Sequence, residues 1–304
     1  MPDRLATPSD AGGPCVRDAL RAAQAALARS STPRLDAELL VAHVLGLSRP
    51  QVLARSSDPW PAEHAARLSE LVARRADGEP VAYLVGRAWF HGLELEVTPD
   101  VLVPRPETEA LVAWAGDWLR ARPAAPHRPW RVIDVGTGSG AIALALADRV
   151  DAAEAEIWAT DVSPAALAVA RRNAARLGVG ARVRLSVADL LPEGADAPAA
   201  FDVVVANLPY VGLRELGDVE RDVVRWEPHG ALFAGPDGLD IVRRLLAQLP
   251  SRLAPDGAAA LEIGWRQGPA VRSLAAAAVP DAVVTVHPDL AGLDRMVVVQ
   301  RCRA

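Results

Sequence analysis

Apolar and polar positions along this 304-residue chain follow three successive regimes. Over residues 14–76 the period is helical. Val16, Leu20, Ala23 and Leu27 recur at three- and four-residue spacing and predict a helix with one apolar face. Leu35, Leu39, Leu40 and Val44 predict a second helix, opened by Thr32-Pro33 and stopped by Gly46. A third is expected over residues 61–76, closed by Asp77-Gly78. Between residues 80 and 104 the period shortens: Trp89, His91, Leu93, Leu95 and Val97 alternate with other residues around Gly92, as in a hairpin. From residue 130 short apolar runs alternate with helical stretches. Strands are expected at 131–135, 156–161, 182–187, 201–207, 258–264, 282–287 and 296–301, and helices at 141–147, 164–177, 241–249 and 269–278. That alternation predicts a doubly wound, mostly parallel α/β sheet covered on both faces. The last two runs have no helix between them, so they should form an antiparallel hairpin at the sheet edge. The expected organisation is a helical domain over 1–79, a hairpin linker over 80–104 and an α/β domain over 105–304.

Composition narrows this picture. A chain that is 51% hydrophobic and 23% charged can bury a sizeable core. It has no run near the ~18 uninterrupted apolar residues a membrane span needs, and its first residues lack the apolar centre of a signal peptide. A short disordered leader on a cytoplasmic protein is the expectation. Cys15 and Cys302 have neither disulfide-framework nor metal-site spacing. All 33 basic residues are arginine, the net charge is −5, and no basic stripe stands out. That counts against naked DNA or RNA as the main partner.

The chemistry gathers where predicted strands end. Gly136, Thr137, Gly138, Ser139 and Gly140 follow the first strand of the α/β region, preceded by Asp134. Glycines there let the backbone approach a ligand closely, at the edge where doubly wound sheets bind ligands. The spacing is G-x-G-x-G rather than the dinucleotide G-x-G-x-x-G, which favours S-adenosylmethionine over a phosphate-bearing cofactor. Asp161 closes the second strand, where a carboxylate can accept both hydroxyls of a ribose. Asp189-Leu190 follow the third, placed to meet an adenine by hydrogen bond and apolar contact.

The fourth strand ends in Asn207-Leu208-Pro209-Tyr210. A planar amide or aromatic amine is a poor nucleophile because its lone pair is delocalised. Two acceptors that bind its two N–H groups hold it and favour charge developing on nitrogen. The Asn207 side-chain oxygen supplies one. The Leu208 carbonyl, aimed because Pro209 restrains Leu208 to an extended conformation, supplies the other. Tyr210 offers a flat face for a planar acceptor. Upstream, VLVPRPETE (101–109) sets Arg105 between two prolines that stiffen the loop before a helix.

These residues resemble the HemK/PrmC family of protein-(glutamine-N5) methyltransferases. The likeness runs through LDAELLVAHVLG (35–46), the segment 78–109 ending in PRPETE, DVGTGSGAIALALA (134–147), NLPY (207–210), EPHGALFAGPDGLD (227–240), EIGWRQG (262–268) and DLAGLDR (289–295). It implies a seven-stranded, Rossmann-like S-adenosylmethionine-dependent methyltransferase domain with a small helical N-terminal domain that helps bind the substrate. The implied substrate is a class 1 peptide chain release factor, methylated on the glutamine of its Gly-Gly-Gln motif. By position, residues 136–140, Asp161, Asp189, Leu190 and Asn207 would bind the cofactor, and residues 207–210 would bind the glutamine amide. The family usually has Asn-Pro-Pro-Tyr; here Leu208 stands at the second position. An adenine-amino methyltransferase acting on DNA or RNA is the rival reading, because its acceptor is also a planar NH2 group. No metal site and no direct nucleic-acid partner are expected.

Overall fold

In the helical segment the second helix starts and stops where its sequence signals stand. The computed structural model describes residues 13–122, 128–217 and 219–302; the expected leader lies, Gly13 aside, outside them. Helix α1 (Val16–Ala26) is followed by α2 (Pro33–Leu45), which begins at Thr32-Pro33 and ends at Gly46 in the left-handed region, φ 64°. A helix that apolar period does not announce, α3 (Arg49–Ala54), rests on a capping box. Gln51 N–H donates to Ser48 Oγ (3.4 Å) and Ser48 N–H donates to Gln51 Oε1 (2.8 Å). Helices α4 (Ala65–Ala76) and α5 (Val81–Val85) complete this unit around Leu27, Leu40, Val41, Val52 and Leu71. Its buried acids are all paired: Asp36 with Arg75, Glu38 with Arg34 and Arg49, and Glu79 with Arg74. Removing one partner would strand a charge in the interior.

The chain divides into two compact units between Val85 and Gly86. Residues 80–104, expected as one linker, therefore split: α5 belongs to the first unit and the hairpin to the second. The hairpin pairs β1 (Arg87–Phe90) with β2 (Leu93–Glu96) around His91-Gly92, both with positive φ (51° and 85°), the turn geometry that suits strand twist. A two-residue turn places Phe90 opposite Leu93 and Trp89 opposite Glu94. Phe90 and Leu95 are buried while Trp89 is 67% exposed, so Trp89 does not share the inward face with Leu95. Counting alternation through a turn transfers the side chains of one strand to the wrong face.

The second unit continues with α6 (Glu109–Arg120), β3 (Trp130–Val135), α7 (Ala141–Arg149), β4 (Ala155–Asp161), α8 (Pro164–Arg176), β5 (Val183–Val187) and β6 (Phe201–Ala206). A short α9 (Arg221–Trp226), then α10 (Asp240–Arg252), β7 (Leu253–Glu262), α11 (Gly268–Ala278), β8 (Ala282–Pro288) and β9 (Asp294–Arg301) follow. Seven strands form one sheet in the order β5-β4-β3-β6-β7-β9-β8. The first five are parallel, and β9 runs antiparallel to both β7 and β8, as the missing helix required. Side-chain alternation along β6 splits the core. Val203 and Val205 pack with Leu111 and Leu144 on one face, and Val204 packs with Leu245 and Val271 on the other. Burial on both faces explains why β6 reads as an unbroken apolar run. Strand order reverses between β3 and β6, so the loops after these two strands flank the crevice where such sheets bind ligands.

Candidate active site

The glycine loop opens this crevice. Gly136 (φ 74°) and Gly138 (φ 55°) adopt backbone that L-residues avoid, and a Cβ on Gly138 would meet nothing within 4 Å. Gly138 thus faces open space, while Gly136 lies under Leu208, whose Cδ2 would sit 3.0 Å from an added Cβ. Asp134 holds the loop from below. Its Oδ2 accepts from Thr137 Oγ1–H (2.6 Å) and from Ala143 N–H (3.1 Å) at the start of α7. Burial pushes the Asp134 carboxyl up to about 7 against those two hydrogen bonds, and the nearby Asp161 charge adds to the rise. Gly140 serves packing instead of ligand approach: a Cβ there would come within 2.9 Å of Leu144 and 3.3 Å of Ala170. It is not among the residues that line the cavity, which include Ser139 before it and Ala141 after it.

The cavity in front of the loop is about 440 Å³ and gathers most of the residues singled out from sequence: 136–139, Asp161, Asp189, Leu190 and 207–209. Asp161 turns its carboxylate to the loop. Oδ2 accepts from Gly138 N–H (2.9 Å) and Oδ1 from Ser163 N–H (2.8 Å), which leaves each oxygen a further lone pair. Leu190 is buried with φ 72°, its carbonyl taken by Thr160 Oγ1–H at 2.7 Å. Asp189 reaches the wall, but its carboxylate also pairs with Arg244 of α10, a partner no local pattern announced.

Asn207 follows β6 directly and bridges to the start of α6. Its Nδ2–H donates to Thr108 Oγ1 (2.9 Å), and Thr108 Oγ1–H donates to Glu262 Oε2 (2.7 Å) at the end of β7. Among the described residues nothing donates to Asn207 Oδ1 or to the Leu208 carbonyl. Tyr210 does not line the cavity, so its ring is not the wall that sequence anticipated. It points to β7: its O–H lies 3.5 Å from Glu262 Oε1 and its carbonyl accepts from Gln267 Nε2–H at 2.8 Å. Burial, then the Glu262 charge, push the Tyr210 phenol up to about 12.

Sequence reasoning missed Thr108 and Glu262 as a pair. It also missed what Arg105 does. Glu227, 4% exposed, takes Arg105 as an ion pair and accepts from Val103 N–H (3.1 Å), tying the PRPETE loop to the EPHG segment across the cavity. Asn173 of α8 is a third unannounced link. It accepts from Glu96 N–H (2.6 Å) and donates to the carbonyls of Glu96 and Ser139 (2.9 Å each), joining the hairpin to the glycine loop.

Leu208 is 5% exposed and packs over Gly136. Among the described residues its N–H makes no hydrogen bond, so a proline there forfeits no donor. Leu208→Pro is expected to keep kcat within about tenfold of the parent, a change of ~1.4 kcal/mol or less. Leu208→Ala should cost about 2 kcal/mol of stability in urea unfolding, because it empties space against the loop. A larger kcat loss in Leu208→Pro than in Leu208→Ala would contradict this view of Leu208 as packing plus carbonyl.

The comparisons with known proteins agree with this construction. A family described as the PrmC N-terminal domain matches residues 18–86, and one described as a methyltransferase domain matches residues 132–226. The hMettl16 catalytic domain, a human protein solved with a MAT2A 3'UTR hairpin, has the same fold, with a TM-score of 0.52 at 16% identity. That likeness covers 79% of this chain and 82% of the other. The fold is thus that of a methyltransferase. Release factor glutamine methyltransferase of Bordetella pertussis is 46% identical over 272 residues, 89% of this chain and 96% of the relative. Its counterpart in Moorella thermoacetica is 44% identical over 266 residues, 86% and 89%. The chain belongs to the release factor glutamine methyltransferase family.

The methyl donor of that family is S-adenosylmethionine, and the cavity fits it. Gly138 leaves open the space a side chain would fill, and Asp161 offers two carboxylate oxygens with lone pairs to spare for a vicinal diol. Leu102, Ile142 and Leu190 line the wall with apolar surface suited to a flat base.

Proposed function

We propose that this protein methylates the side-chain amide nitrogen of the glutamine in the Gly-Gly-Gln motif of class 1 peptide chain release factors. The observation that carries this reading is the pair of unspent acceptors at the end of β6. Asn207 and Leu208 both line the cavity together with the glycine loop, and no donor of the described residues engages Asn207 Oδ1 or the Leu208 carbonyl. Two acceptors of one polarity fit an NH2 group and nothing anionic.

Residues 136–138 and Asp161 would hold the cofactor, with Asp189 and Leu190 at its base. When bound, S-adenosylmethionine supplies an electrophilic methyl group on a sulfonium sulfur. The chain's own task is to make the amide nitrogen a competent acceptor. As nitrogen gains carbon it becomes positive, and its N–H groups become stronger donors. Asn207 Oδ1 and the Leu208 carbonyl then bind more tightly in the transition state than before it, which is the difference that accelerates a reaction. The nitrogen returns to neutrality by losing one N–H proton to water. Pro104, Thr108 and Arg105, the last held by its ion pair with Glu227, line the cavity and would limit solvent around the reacting nitrogen.

The family's rival chemistry, methylation of adenine N6, would use the same two acceptors. The relatives named for glutamine methylation at 44–46% identity favour the amide. The helical unit contributes to recognition of the release factor in this reading, and the reaction belongs to the cytoplasm. Among the described residues no helix is long and apolar enough to cross a membrane. Incubation with methyl-labelled S-adenosylmethionine and a class 1 release factor should label the factor. Changing its Gly-Gly-Gln glutamine should abolish the label. Unchanged labelling of that variant would contradict the assignment.

A further inference from the structure

Asn207 can serve as an acceptor only if its amide faces one way. An asparagine carries a donor end and an acceptor end on a symmetric-looking fork, and a half-turn about its last bond exchanges them. Facing the substrate with its NH2 would set donor against donor. What fixes the fork lies behind it, in a row of three side chains from three separate elements. Asn207 Nδ2–H meets Thr108 Oγ1 at 2.9 Å, and Thr108 Oγ1–H meets Glu262 Oε2 at 2.7 Å. Tyr210 O–H closes on the other oxygen, Glu262 Oε1, at 3.5 Å.

The direction of this row follows from the number of protons. An ionised carboxylate only accepts, so Thr108 must spend its single hydroxyl proton on Glu262. Thr108 Oγ1 is then left with lone pairs alone, and only the NH2 end of Asn207 can satisfy it. Oδ1 is turned to the cavity as a consequence. A protonated Glu262 reverses the logic. It can donate to Thr108 Oγ1, which frees the threonine hydroxyl proton to seek the amide oxygen of Asn207.

We infer that Thr108 and Glu262 are positioning residues for the transfer, and that the negative charge of Glu262 dictates which end of the Asn207 amide faces the acceptor. This rests on the proposed function only in taking Asn207 as the residue that binds the acceptor NH2. Glu262 acts from behind the wall, being 2% exposed and not lining the cavity, while Thr108 stands between it and Asn207. Four groups set its ionisation. Thr108, at the turn before α6, and Tyr210, in the loop after β6, donate hydrogen bonds to it. Arg295 of β9 favours its charge and Glu107, beside Thr108, opposes it. Burial is the largest influence and pushes the carboxyl up to about 7.

The sign of the pH effect separates positioning from mere structure. A carboxyl whose folded value is raised stabilises the fold when protonated, and that stability is lost as pH rises from the ordinary carboxylate range through about 7. A purely structural Glu262 therefore predicts activity that is flat or falling over this range. Positioning predicts the reverse, with kcat/KM for the release factor rising through about pH 7 to a plateau, since that ratio reports the free enzyme.

The test compares four full-length forms at saturating S-adenosylmethionine between pH 5.5 and 8.5. The parent should show the rise. Glu262→Gln should flatten it and lower the plateau by about tenfold, and Thr108→Val should lower kcat by about 10- to 100-fold with the cofactor Kd unchanged. Thr108→Ser, which keeps the hydroxyl, should recover most of that loss. A Glu262→Gln profile superimposable on the parent, or Thr108→Val with parental kcat, overturns the inference even where release factor is methylated. The second readout needs no acceptor at all. The side-chain NH2 resonances of Asn207, assigned by their loss in Asn207→Ala, should shift with a midpoint near that of the Glu262 carboxyl carbon. That shift should vanish in Thr108→Val, and a shift that persists, or an NH2 group indifferent to pH in the parent, overturns the inference whether or not release factors are the substrate.

Discussion

Asn207→Ala is expected to lower kcat by roughly 100- to 1,000-fold, the usual loss when one preorganised group facing developing charge is removed. Binding of S-adenosylmethionine should change by less than about threefold, because the glycine loop and Asp161 owe nothing to the Asn207 amide. Thr108 loses a donor but keeps its bond to Glu262, so the fold has little reason to give way. Single-turnover assays with cofactor prebound separate the two effects. A variant with parental turnover would remove Asn207 from the acceptor site.

Asp161→Ala should fail at the other end of the reaction. Its carboxylate shapes the loop through Gly138 and Ser163 and keeps lone pairs for the cofactor's hydroxyls. Losing hydrogen bonds to a charged group costs about 1.5–3 kcal/mol each. Two of them imply a rise in the Kd for S-adenosylmethionine of about 100-fold or more. Turnover at saturating cofactor should fall far less, since Asp161 stands away from the acceptor. Calorimetric titration with the cofactor decides it. A Kd within about threefold of the parent would show that the ribose is held elsewhere.

Much of this architecture was legible in the chain because the signals were dense. Strand β6 reads as a strand from three adjacent valines, and it is buried on both faces. The glycine loop announced itself because three glycines at alternate positions mark backbone at positive φ, 74° and 55° at the first two, which glycine adopts without strain. What escaped was either too short or too distant. Helix α3 has six residues, fewer than two turns, and only its capping box marks it. Gly140 resembles its neighbours in sequence, yet it exists for the contact of α7 with α8. Thr108 and Glu262 lie 154 residues apart, and no local pattern pairs a threonine with a glutamate across that distance. The same holds for Arg105 and Glu227, 122 residues apart. Sequence thus marked many of the groups that line the cavity, which sit in motifs at strand ends. It did not show the groups that orient them, which depend on tertiary proximity.

Two acceptors at the end of β6 are proposed to present a glutamine amide for methylation. Peptide mapping by mass spectrometry of a class 1 release factor treated with this protein and S-adenosylmethionine reads that outcome at the atom concerned. The expected result is a single added methyl group on the side-chain nitrogen of the Gly-Gly-Gln glutamine, formed at least about 100-fold more slowly when Asn207→Ala replaces the parent. Methyl found on another residue, or on adenine in added nucleic acid with the release factor unmodified, would contradict it.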